Sequence, residues 1–234
     1  MTQASPGRRR LGRARTAVPA RRSSEGRYGL LLLVLVASYL LSAFSGQRLD
    51  TNLQIALFVT VLLLALRTSS LQRGHRLLFG GAAVAGSAAA LGLALTGTEA
   101  GLGAAELWKG VILILAAVLI VRRVLAKPTV TIQSIYGALS TYIIVGLMFA
   151  AFYAAIGHLS GGAFFADHQP ADTQTYQYFS FTTLTTLGYG DFTAASNGGR
   201  AIAVMEALTG QIFLATLVAR LVAAFRASAE PPGQ

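Results

Sequence analysis

Six apolar stretches, at about residues 28–45, 51–67, 77–96, 107–125, 132–157 and 200–225, decide what this chain can fold into. An α-helix needs about 20 apolar residues to cross roughly 30 Å of hydrocarbon, and all six lie near that length, the first two at its short limit. In lipid each backbone N–H and C=O must find its partner inside the segment, which a helix provides. With 54% apolar and only 12% charged residues over 234 positions, the chain is too greasy for a soluble domain of this size. The expected class is an all-α integral membrane protein with six transmembrane helices. Cysteine is absent, which removes a disulfide framework, a thiol nucleophile and a cysteine-based metal site.

The net charge of +10 is distributed in a way that speaks against nucleic acid. Eight Arg lie in residues 8–27, while Arg67, Arg73 and Arg76 follow the second span. Arg122, Arg123 and Lys127 follow the fourth, and Arg220 and Arg226 end the sixth. The opposite ends carry Asp50, Glu99, Glu106, Asp167, Asp172 and Asp191 against Arg48, Lys109 and Arg200. Basic ends stay cytoplasmic, so both termini are expected inside and the segment between spans five and six outside. Residues 1–27, rich in Arg, Ser, Gly and Pro, read as a disordered basic arm able to touch anionic headgroups. A secretion signal is disfavoured, because no small-x-small cleavage site follows the leucine run. The three histidines show no ligand spacing, and nothing resembles a hydrolase triad, so no enzyme activity and no cofactor are expected.

Between spans five and six stands TTLTTLGYGD, Thr182–Asp191. Gly188 and Gly190 can enter the positive-φ region without a Cβ clash, so successive carbonyls can turn to one side rather than alternate. A row of such oxygens can replace the water shell of a cation. One strand of carbonyls cannot enclose an ion, so several copies around an axis are implied. The segment Thr186, Leu187, Gly188, Tyr189 and Gly190 resembles the selectivity filter of potassium channels.

That resemblance covers residues 128–228 in detail and implies a homotetramer with K+ as permeant ion, in the plasma (inner) membrane. It implies an outer helix, a short re-entrant helix from Asp172 or Thr173 to about Thr185, the filter, and an inner helix. Tyr176, Tyr178, Phe179 and Phe181 resemble the aromatic cuff around the filter. Where the family commonly has a tryptophan donating to the acid behind the filter, Tyr178 stands as donor to Asp191, and Thr182 is neutral where some bacterial members carry Glu. Thr182 and Thr183 complete the filter support. Leu187 replaces the usual Val. Gly210 lies 21 residues after Tyr189, the spacing of the glycine at which family inner helices bend, although close packing is the alternative role. Gln211, Leu214, Val218 and Val222 share one stripe and are the expected cavity wall.

Glu206, one turn before Gly210, is an intramembrane acid, expected to bond a neighbouring helix through Thr182 or Thr183 or to serve in ion attraction or proton gating. The fourth span carries no charge between Lys109 and Arg122, whereas sensor helices carry Arg or Lys at every third position. The expected organisation is therefore a basic arm (1–27), a peripheral four-helix domain without gating charges (28–127), a pore module (128–228) and a short tail (229–234). The expected activity is passive, largely voltage-independent potassium conduction. Alternatives are a voltage-gated channel with an unconventional sensor, a potassium uptake transporter subunit and a non-conducting scaffold. Span three is expected to pack internally through small residues such as Gly81 and Ala85, and residues 97–104 to form an outer loop.

Overall fold

A computed structural model describes residues 28–44, 51–68, 72–126, 130–169 and 171–229. The basic arm, the break expected at Lys127-Pro128 and residues 230–234 lie outside them. The described residues form α1 (Tyr28–Phe44), α2 (Thr51–Thr68), α3 (Arg73–Leu95), α4 (Glu99–Leu125), α5 (Ile132–Leu159), α6 (Thr173–Leu184) and α7 (Asn197–Ala229). Four of these, α3, α4, α5 and Asn197–Ala224 of α7, are long and apolar enough to cross a membrane. The apolar parts of α1 and α2, Tyr28–Leu40 and Ile55–Arg67, are shorter.

Local chemistry sets the helix starts. The Thr98 hydroxyl accepts from Gly101 N at the head of α4. Thr131 and Ser134 cap α5 reciprocally, and the Asp172 carboxylate accepts from Thr175 N at 2.8 Å to start α6. The cap at Thr98 corrects the expected loop at 97–104: α4 begins at Glu99, two turns earlier. Its glycines, which read as loop residues, are instead the small buried face, with Gly101 and Gly103 both covered. Glu106 and Lys109, grouped above with outer-end charges, consequently lie inside α4, buried and paired with each other one turn apart. His75 lies in α3 and His158 in α5, where its Nδ1 meets Glu99 Oε2 at 2.7 Å.

One apolar core joins the first four helices to α5, with Tyr28, Leu31, Phe58, Leu62, Ile112, Leu113, Ala116, Ile144 and Leu147 at its centre. α4 lies along α5. α3 is peripheral rather than internally packed, and Gly81 and Ala85 are exposed. Only its Ala83, Ser87 and Ala90 are buried, and Ser87 accepts the Trp108 indole N–H at 3.0 Å. The small-residue pattern occurs on more than one face of α3, and the face that meets α4 is chosen by the indole.

α5 is a single helix of 28 residues, about 42 Å long, and forms the boundary between this core and a second one. The second is aromatic: Phe149 and Tyr153 of α5, Phe164 and Phe165 of the following loop, Tyr176 and Phe179 of α6, and Ala194. Beyond α5 the chain folds back so that Phe165 pairs antiparallel with Ala194. Ala166 N donates to Thr193 O at 2.8 Å and Ala195 N to Phe164 O at 2.9 Å. Both flanks of the GYGD segment are thereby tied together.

Candidate ion pathway

α6 ends where its backbone changes hand. Thr186 has φ 58°, Gly188 49° and Gly190 79°, so every second residue of the segment lies in the left-handed region. The Leu187 and Gly188 amides both return to Thr182 O, at 2.8 and 3.1 Å, and Thr186 N returns to Thr183 O at 2.9 Å. In a planar trans peptide each N–H opposes the preceding carbonyl, so the carbonyls of Thr185, Thr186 and Leu187 point away from these bonds. Among the described residues nothing donates to the carbonyls of residues 186–190, and all five residues are exposed in the single chain. A row of unclaimed carbonyls on one side is the chemistry that can strip and replace a cation's water.

What sequence reasoning missed at Thr186 is its positive φ. A β-branched residue at positive φ is an outlier that costs about 1–2 kcal/mol. Its hydroxyl donates to Thr185 O at 2.7 Å and accepts from the Gln211 amide at 3.1 Å. Gln211, expected on the cavity wall, thus reaches from α7 to the inner end of the segment. Leu214, Val218 and Val222 continue the same exposed face of α7.

The outer end is held by two donors. Tyr178 Oη donates to Asp191 Oδ2 at 2.8 Å, and its ring stacks on Tyr189 at 6.5 Å. The bond to Asp191 is the main cause that pushes the Tyr178 phenol up to about 12. Gln169 Nε2 donates to Asp191 O at 2.6 Å, a contact across 22 residues that no local pattern announces. Phe179 belongs to the aromatic core. Thr182 spends its hydroxyl on Phe179 O, and Thr183 contributes its carbonyl.

Behind the segment α7 meets α6. Gly210 lies within an unbroken helix, where an added Cβ would stand 2.2 Å from Leu184 O. That oxygen is also bonded by Tyr142 Oη at 3.2 Å. The position expected as a bend is therefore a close contact in this conformation. Glu206 is fully buried. Its partners are Tyr153 and Ser180 rather than Thr182 or Thr183. Ser180 and Leu184, four residues apart, share the buried face of α6, and Thr182 is turned away from it by about 200°.

A family described as ion channel matches residues 139–227, from α5 to the end of α7. No curated protein and no solved structure matches the chain. The match supports an ion-channel superfamily and a membrane location for this part of the chain.

Proposed function

We propose that the chain is one subunit of a homotetrameric, potassium-selective channel that conducts passively and is largely independent of voltage. The observation that carries this reading is the GYGD segment: alternating left-handed residues, amides committed to α6, and carbonyls with no protein donor, within the region that matches an ion-channel family. Four copies around an axis would convert the row of carbonyls into rings, with Thr186, Leu187, Gly188, Tyr189 and Gly190 as the ion's ligands. Tyr178 and Asp191 brace the outer end, and Phe179, Thr182 and Thr183 support it from α6. The negative end of the α6 dipole at Leu184 favours a cation just inside the filter. Gln211, Leu214, Val218 and Val222 then line the inner vestibule.

The exposed apolar side chains of α7, among them Val204, Leu208, Ile212, Val218 and Val222, suit a helix whose remaining faces meet other subunits and a cavity. Residues 28–127 act as a peripheral domain and 128–228 as the pore, with six spans and both termini cytoplasmic. Voltage independence follows from α4. No charge lies between Lys109 and Arg122, and Lys109 is paired with Glu106 of the same helix. Movement of α4 would carry that pair as a unit with no net charge, so the field would do little work on it.

Flux from liposomes holding the purified protein tests the reading. Potassium and rubidium should pass and sodium scarcely, and Gly188→Ala should abolish flux while the tetramer persists. Equal sodium and potassium flux would overturn it.

A further inference from the structure

Between α5, α6 and α7 lies a chain of buried oxygens in which the protons can be counted. Tyr153 Oη stands 2.6 Å from Glu206 Oε2, Ser180 Oγ lies within bonding distance of Glu206 Oε1, and Ser180 Oγ is 2.6 Å from Gly146 O. All three distances are those of hydrogen-bonded oxygens. Three contacts need three protons. The two hydroxyls supply one each, and a backbone carbonyl supplies none. Tyr153 gives its proton to Oε2. Ser180 has one proton for two acceptors, and if it gave that proton to the carboxylate, Ser180 Oγ and Gly146 O would face each other 2.6 Å apart with nothing between them. An ionised carboxylate would accept short bonds from both hydroxyls, but it leaves this third contact repulsive. A proton on Oε1 resolves the chain: Tyr153 donates to Oε2, Oε1–H donates to Ser180, and Ser180 donates to Gly146.

The surroundings agree. Glu206 is fully buried, and the groups that face it are neutral: Ser180 of α6, Tyr153 of α5 and, at longer range, Tyr142 of α5. The residues one turn away on α7, Ile202, Ala203, Thr209 and Gly210, carry no charge. A lone anion there would be unpaired and desolvated.

We infer that Glu206 is held as the neutral acid and that in this form it is the positioning residue that ties the pore helix α6 to both α5 and α7. It acts on the filter through Ser180, one turn before Leu184, which ends α6 two residues before Thr186 and whose carbonyl accepts from Tyr142. The role rests on the channel reading, whereas the proton assignment does not.

The test reads the two separately. Infrared difference spectra of the reconstituted wild type against Glu206→Gln, at neutral pH, should show the carbonyl band of a protonated carboxylic acid that the variant lacks. A carboxylate band in its place would overturn the proton assignment, whether or not the protein conducts. Ser180→Ala removes the acceptor of that proton, so the acid band should shift; an unmoved band would also overturn it. For the positioning role, Gln reproduces the neutral acid, with one acceptor and one donor in the same places, and should keep potassium flux within about twofold. Leu fills similar space with no polar group, leaving the Tyr153 hydroxyl without its acceptor and Ser180 bonded to Gly146 alone, so it should lower selective flux on the order of tenfold or more. A Gln variant as impaired as Leu, or a Leu variant equal to wild type, would refute the role. Should the Leu variant fail to assemble, Tyr153→Phe removes a single bond of the chain, and an acid band unmoved by it would count against the network. Unselective flux with the acid band present would instead count against the channel reading.

Discussion

Replacing Gly210 by Ala measures how tightly the inner helix is set against the end of the pore helix. The new Cβ would lie 2.2 Å from Leu184 O, 3.0 Å from Leu184 Cδ1 and 3.2 Å from Leu184 C. The obstacle is mostly backbone, so no rotamer change relieves it, and the two helices must separate by an ångström or so. In an exposed helix the substitution would stabilise by about 1 kcal/mol. Overpacking at a backbone contact costs about 1–3 kcal/mol, and the upper end applies here, so a net loss of roughly 2 kcal/mol per subunit is expected. Displacing Leu184 O also lengthens its 3.2 Å bond from Tyr142 and disturbs Thr186 just beyond it. Thermal unfolding of the purified protein, followed together with the potassium-to-sodium flux ratio, should show both a lower midpoint and poorer selectivity. A hinge role would leave stability unchanged or raised and alter only opening. A Gly210→Ala tetramer as stable and as selective as wild type would refute the close-packing reasoning.

Further expectations follow from the other contacts. Glu106→Gln removes the carboxylate paired with the buried Lys109 ammonium and should lower the midpoint of thermal or denaturant unfolding, part of which the double variant Glu106→Gln/Lys109→Met should recover. Tyr178→Phe removes the donor to Asp191 and should shorten open times in single-channel records by several-fold, because the outer end loses one of its side-chain ties. Gln211→Leu leaves Thr186 at positive φ without its α7 donor and should reduce potassium conductance while leaving assembly intact. Steady-state conductance should change gently with membrane potential, and neutralising Arg122 and Arg123 should affect insertion more than gating.

What could be read from the residues was what depends on neighbours in sequence. The helical stretches of α5 and α7, the Asp172 cap and the position of the GYGD segment all follow from local pattern and composition. The contacts that give those elements their roles link distant residues. Glu206 to Tyr153 spans 53 positions and Gln211 to Thr186 spans 25, and each depends on how two helices are rotated about their axes. Helical phase alone would have separated Ser180 from Thr182, because only Ser180 shares a face with Leu184. The early start of α4 was hidden for a different reason: GTEAGLGA carries the composition of a loop, while in the fold Thr98 caps it, Gly101 sits against the end of α3 and Gly103 against Leu159 of α5. In α3, small residues on several faces left the buried one undetermined until Trp108 settled on Ser87.

The most direct measurement is the reversal potential of the purified protein in a planar bilayer with potassium on one side and sodium on the other. If the carbonyls of residues 186–190 form the ion's ligands, the current should reverse far from zero, at the potential that opposes potassium flow, and should shift with the potassium concentration alone. A reversal near zero, or one that follows sodium equally, would contradict the assignment of this segment as a potassium filter.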